Sequence, residues 1–128
     1  MRRLLALTLL TATPAFAVPP TGFVYPTTTL ELQRDFRRCV SPMCGGWWVS
    51  RVNHASMRCP DGTVGTSCYI ASVEWVELGL TPQREADLIN AAATGLVLVR
   101  GDVEITAFPG FPDLGVLHPI SAWSAVVP

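Results

Sequence analysis

The chain contains no lysine, and all 9 of its basic residues are arginines. We read that as the codon usage of a GC-rich genome, with little bearing on mechanism. Charge is scarce as well. Asp, Glu, Lys and Arg make up 15% of the 128 residues, where a quarter or so is usual. With 49% hydrophobic residues beside them, wholesale disorder is excluded and one core is within reach. The length suits a single domain and excludes most multi-domain enzymes and the larger barrels. Histidine occurs twice, as His54 and His118, with no motif around either. There is no HExxH, P-loop, dinucleotide fingerprint or nucleophile elbow.

Long apolar runs are also missing. The stretch at residues 4–10 falls far short of the ~20 residues needed to cross a bilayer. Its setting gives it another meaning. Met1-Arg2-Arg3 is a charged start, and Ala15-Phe16-Ala17 is a small-x-small site. Together these predict a secretory signal peptide over residues 1–17, cleaved after Ala17. A lipoprotein would show cysteine at the new N-terminus, but that residue is Val18. Removing 17 of 128 residues leaves 111, and losing Arg2 and Arg3 moves the net charge from −1 to −3. An acidic domain lacks the electrostatic footprint for nucleic acid or anionic lipid. The expected location is secreted or periplasmic, with no membrane insertion after cleavage.

An exported chain meets an oxidising environment, so Cys39, Cys44, Cys59 and Cys68 are expected to form two disulfides. Spacing favours the local pairs Cys39–Cys44 and Cys59–Cys68, because Pro42, Pro60 and Asp61-Gly62 are turn formers; a cross-pairing stays open. A zinc site would want closer Cys pairs. No metal and no cofactor are expected.

Residues 18–28 read as an extended lead-in, and residues 29–128 as one stapled, β-rich domain. Leu30, Leu32 and Phe36 alternate with polar residues and predict a first strand. Residues 47–52 form a second. In a third, Tyr69, Ala71, Val73 and Trp75 share a face opposite Ser72 and Glu74. A helix over about 82–94 follows, with Thr81 as cap, Pro82 at its first position, a stripe of Leu88, Ile89, Ala92 and Ala93, and Gly95 as terminator. Two strands close the chain: one with a bend at Gly101, the other at residues 116–127, where Pro119 argues for a sheet edge. The class is α+β, mostly β. The order strand-strand-strand-helix-strand-strand fits a five-stranded OB-like barrel, or else a twisted antiparallel sheet with one helix on its face.

The densest chemistry runs from Arg34 to Arg51. Arg37 and Arg38 precede the first disulfide loop, Arg51 follows it, and Trp47-Trp48 lie between. Adjacent strand residues point to opposite faces, so one tryptophan anchors the core. The other can stack on a sugar, peptide or aromatic ligand, or lie under the lead-in or the helix while the arginines pair with Glu31 and Asp35. Arg37, Arg38, Trp47, Trp48 and Arg51 are the candidate binding residues, and no residue is assigned a catalytic role.

The segment from Arg37 to Trp48, RRCVSPMCGGWW, resembles the opening motif of an uncharacterised domain family of secreted bacterial proteins. Cys59-Pro60-Asp61-Gly62, Cys68-Tyr69-Ile70-Ala71 and Leu98-Val99-Arg100-Gly101 are similar to its later motifs. The resemblance covers most of residues 33–123 and implies export and domain identity; no activity comes with it. The leading expectation is a small exported binding module for an envelope or extracellular protein or small ligand. A protease inhibitor presenting the Cys39–Cys44 loop is one alternative, and a small hydrolase with a spatially assembled site is another.

Overall fold

A computed structural model describes residues 23–95 and 97–124, with side chains of the first strand described from Thr27 onward. The expected signal peptide, the start of the lead-in and the tail of the last strand lie outside these residues. The described elements are β1 (Phe23–Arg34), β2 (Trp47–Arg51), β3 (Met57–Arg58), β4 (Val64–Gly65), β5 (Cys68–Val73), a 3-10 turn (Trp75–Leu78), α1 (Pro82–Ala92), β6 (Val97–Thr106) and β7 (Leu114–Ser124).

Five strands close into a barrel in the order β1-β2-β5-β7-β6, and β6 pairs back onto β1. Only β5 and β7 run parallel; the other barrel pairs are antiparallel. This is the OB-like arrangement, with its helix between the third and fourth barrel strands. An open twisted sheet is set aside. The alternation of apolar residues explains the closure. Leu30 and Leu32 of β1, Val49 of β2, Ile70 of β5, and Val97, Val99 and Val103 of β6 all point inward and are essentially inaccessible. The two short strands β3 and β4 form a separate hairpin inside the β2–β5 connection. Met57 and Cys59 of that hairpin region reach the core.

The helix follows its local signals, save that it ends at Ala92 and leaves Ala93 exposed as its C-cap. Thr81 takes an extended backbone and its side chain accepts a hydrogen bond from Arg84 N at 3.2 Å. Leu88 and Ala92 are buried, and the small Ala92 lets the helix end lie close to the barrel. Gly95 sits at φ +76°, the left-handed conformation expected of a helix terminator.

Four expectations are corrected. β1 ends at Arg34, and Phe36 is 66% exposed, because Asp35 turns the chain out of the sheet. On β5, Cys68 and Ile70 are the core residues, whereas Tyr69 and Ala71 lie outward. An extra residue between Ile70 and Ser72 shifts the phase, so Val73 is inward again. Trp75 belongs to the 3-10 turn and packs edge-on against Trp47 at 5.7 Å, although it is buried as expected. β7 is no edge strand, since it is flanked by β5 and β6. Pro119 is tolerated at a bulge, where Arg100 faces Ser121 and Gly101 faces Pro119. A Cβ on Gly101 would overlap the His118 carbonyl oxygen, so the close approach needs glycine.

Candidate functional site

The connection from β1 to β2, residues 35–46, is organised by one buried carboxylate. Asp35 accepts hydrogen bonds from Arg37 N at 3.0 Å, Arg37 Nε at 3.0 Å, Arg37 Nη2 at 3.2 Å and Gly45 N at 3.2 Å. Its side chain is 1% exposed, while that of Arg37 is 51% exposed. Burial alone would raise the Asp35 pKa. The hydrogen bonds from Arg37 and Gly45 and the guanidinium charge outweigh it and hold the carboxyl below its ordinary range.

Held by Asp35, Arg37 is aimed across the loop. Its guanidinium carbon lies 4.7 Å from the Trp48 ring centroid and 5.1 Å from that of Tyr69. Nη2 also donates to the Met43 carbonyl at 3.0 Å. Trp48 and Tyr69 are register partners on β2 and β5 and meet edge to face at 5.6 Å. The Tyr69 hydroxyl donates to Pro42 O at 2.7 Å and accepts from Gly46 N at 3.0 Å. Burial, aided by the Asp35 carboxylate, pushes this phenol above its ordinary pKa and keeps it a donor, against the opposing effects of Gly46 N–H and Arg37. Gly46 has to be glycine, because a Cβ there would overlap the Ile70 carbonyl oxygen and crowd the Tyr69 hydroxyl.

Both disulfides flank this cluster, as Cys39–Cys44 and Cys59–Cys68, each with Cα atoms 5.3 Å apart. The spacing-favoured pairing is therefore the one present, and it fits an oxidising environment. The second disulfide ties the β3–β4 hairpin to the start of β5. Within that hairpin Asp61 Oδ1 accepts from Thr63 N at 3.0 Å and Thr63 Oγ1 at 2.6 Å.

Two clefts result, with Trp48 and Ser67 common to both. The first, about 190 Å³, lies among Arg37, Met43, Tyr69, the hairpin residues Asp61 and Thr63, and the β6–β7 loop at Pro112 and Asp113. The second, about 400 Å³ and more open, is lined by Glu31 and Gln33 of β1, Trp48 and Ser50 of β2, and Thr66 and Ser67.

Of the five candidate residues, Arg37 and Trp48 come together here. Trp47 points the opposite way, is buried under Arg34 and against Trp75, and is core. Arg38 is exposed beside the Cys39–Cys44 loop and lines neither cleft. Arg51 lies at the far end of β2, opposite Leu30. Asp35 was named from the sequence as a partner for the arginines, and it is one for Arg37, whereas Tyr69 was read only as a member of one strand face. The pairing of Tyr69 with Trp48 follows from register alone, and the signal for its outward face was the pair of inward neighbours Cys68 and Ile70.

The histidines lie apart from both clefts. His54 is in an exposed turn with Nδ1 2.9 Å from Val52 O. His118 is clamped between Glu77 at 2.8 Å and Glu104 at 2.6 Å, one carboxylate on each ring nitrogen. Burial opposes its charge, but the two carboxylates prevail and raise its pKa. Because they hold opposite nitrogens, these groups do not converge on a common point. Among the described residues no group of three or more His, Cys, Asp and Glu side chains is arranged to hold a metal. None of the described helices is long and apolar enough to cross a membrane.

A family model described as Domain of unknown function (DUF6748) matches residues 28–127. No curated protein and no solved structure matches the chain.

Proposed function

The chain belongs to the DUF6748 family, and from that footing we propose that it is an exported binding module that takes its ligand across the β2–β5 face of the barrel, over Trp48. One observation carries this reading. Trp48 is a large ring left half-buried on the outer side of a strand, standing between two clefts and braced by Arg37 and Tyr69. Full burial of such a ring would stabilise the fold, so its position on an open face is motivated by contact with something else. Barrels of the OB type use the corresponding strand pair and the loops beside it to bind oligosaccharides and oligonucleotides. Here those parts are β2, β5, the 35–46 loop and the β6–β7 loop.

Export is part of the proposal. The charged start, short apolar stretch and Ala15-Phe16-Ala17 site support it, as do two disulfides and the resemblance of the RRCVSPMCGG segment to secreted bacterial proteins. Mass analysis of the exported protein is expected to find Val18 as its first residue. An inhibitor presenting the Cys39–Cys44 loop has less support. The Pro42 and Met43 carbonyls, which a protease would need, are engaged inward by Tyr69 and Arg37. A hydrolase has less again, since neither histidine lines a cleft.

The test is a protein-observed NMR screen of the oxidised protein against uncharged oligosaccharides, acidic and basic peptides, and short oligonucleotides. Shifts are expected to cluster on β2 and β5, and Trp48→Ala is expected to abolish them. Binders that map elsewhere, or that ignore Trp48→Ala, would sink the reading.

A further inference from the structure

We infer that the ligand of this face is an uncharged oligosaccharide, with one sugar ring lying on Trp48 in the cleft between β1, β2 and the Thr66-Ser67 turn. The inference rests on the binding role proposed above and adds the chemistry of the ligand.

The second cleft has one aromatic surface set among short polar groups. Glu31 offers a carboxylate, Gln33 an amide, and Ser50, Thr66 and Ser67 offer hydroxyls. That inventory of acceptors and two-way hydrogen-bonding groups matches a ligand whose rim is all hydroxyls. The apolar C–H face of a pyranose fits against an indole, which combines a large apolar surface with a polar edge. The cleft volume of about 400 Å³ falls within the ~300–1,000 Å³ of small-molecule sites.

Charge decides against the rival ligands. Among the described residues Arg37 is the single cation lining either cleft, and it is already forked onto Asp35. Asp61 and Asp113 line the first cleft with it, and the second cleft carries the carboxylate of Glu31 and no cation among the described residues. A phosphate chain or an acidic polysaccharide would meet like charge and gain no neutralising partner. A basic peptide is disfavoured for another reason. Arg37 stands 4.7 Å from the centroid of the Trp48 ring, and its charge repels a second cation brought to the other side of that ring. Arg37 and Tyr69 line only the first cleft, so they cover the indole from that side and leave its second-cleft surface to the ligand.

The site is also backed by the helix end. At Gly95 an added Cβ would stand 3.5 Å from Glu31 Oε1 and 3.9 Å from Gln33 Cδ, so both polar heads lie against that turn. More than one sugar unit is implied, because Trp48 and Ser67 belong to both clefts. A chain leaving the indole runs on towards Thr63, Asp61 and Asp113.

The experiment titrates the oxidised, 15N-labelled protein with uncharged pentasaccharides of glucose and of N-acetylglucosamine, in α1,4 and β1,4 linkages. Hexalysine and an eight-residue oligothymidylate serve as the charged probes. At least one pentasaccharide is expected to shift the Trp48 indole N–H and the amides of Gln33, Ser50, Thr66 and Ser67 saturably, with an affinity unchanged between 50 and 500 mM salt. Trp48→Ala should weaken binding more than tenfold and Gln33→Ala several-fold, the latter on an exposed side chain that leaves the fold intact. If hexalysine or the oligothymidylate saturates these amides while every pentasaccharide leaves them in place, the sugar assignment is overturned and the barrel-face reading stands. Shifts confined to other residues, or none from any probe, overturn both.

Discussion

Replacing Asp35 tests how the 35–46 loop is held beside Trp48 and Tyr69. Asp35→Ala removes the common acceptor of four hydrogen bonds, two from backbone N–H groups of Arg37 and Gly45 and two from the Arg37 guanidinium. The guanidinium is half exposed and recovers most of its solvation in water, so its loss costs only about 1 kcal/mol. The backbone donors of Arg37 and Gly45, both in exposed residues that water can reach, together add about 1–3 kcal/mol. The total is about 3 kcal/mol, a fall of roughly 12 °C or more in Tm for a domain of this size. Asp35→Asn keeps one acceptor and is expected to cost about half as much. The pH dependence supplies the sharper test. A carboxyl held below its unfolded value of about 3.9 contributes stability that is present above that value and lost as pH falls through the lower folded value. Thermal unfolding of wild type and Asp35→Asn should therefore differ fully at pH 7 and converge towards pH 2. A gap that is the same at both, or an Asp35→Ala loss below about 1 kcal/mol, would refute the assignment of Asp35 as the tie of this loop. The Trp48 indole resonance should move in the same variants, because Arg37 loses the group that aims it.

His118 behaves with the opposite sign. Its raised pKa means that the pairs with Glu77 and Glu104 stabilise the fold below about pH 6.5 and fade as pH rises through the folded value. All three side chains are partly exposed, so urea midpoints should record a loss of about 1 kcal/mol or less between pH 6 and 9, absent in His118→Asn. Under graded dithiothreitol, Cys39–Cys44 should open first, since Cys39 is exposed and Cys68 is buried; alkylation mapping that finds Cys59 and Cys68 labelled first would contradict this. By loop entropy alone the two crosslinks contribute about 2 and about 2.5 kcal/mol. Gly46→Ala should cost more than about 3 kcal/mol, because its Cβ meets backbone on β5 and cannot be relieved by a rotamer change; a Tm within a few degrees of wild type would show that β2 and β5 can part there.

What was legible in the sequence was local. Thr81, Pro82 and Gly95 punctuate α1 within one turn of each end, and the two Cys pairs are joined through turn formers in short loops. The barrel order was readable because five alternating segments and one helix arrive in a sequence that few small folds share. The phase of individual strands was less so. A single extra residue between Ile70 and Ser72 moves Val73 onto the same side as Ile70, and no residue type there announces it. Phe36 continues the apolar alternation of β1, but Asp35 turns the chain away to collect its hydrogen bonds. Pro119 suggested an edge only because the bulge that accommodates it depends on Gly101 of the neighbouring strand. At the site, Arg37 and Trp48 were visible as unusual neighbours. Asp35 was legible as an arginine partner two residues before Arg37, but its bond to Gly45 N and the place of Tyr69 beside Trp48 depend on partners brought together by folding.

The parallel contact of β5 with β7 has a consequence for the order of assembly. Ile70 finds Gly115 across some 45 residues of chain, Leu32 finds Val97 across 65, and the barrel closes only when both have formed. Contacts this distant in sequence form late, after the entropy of a long loop has been surrendered. Both disulfides span 5 and 9 residues and need only their own turns. An oxidising catalyst meeting the emerging chain can thus seal both correct crosslinks before the barrel exists. The 35–46 loop and the β3–β4 hairpin enter the search already shaped, and the slow step left to the chain is the closing of the barrel by its last two strands.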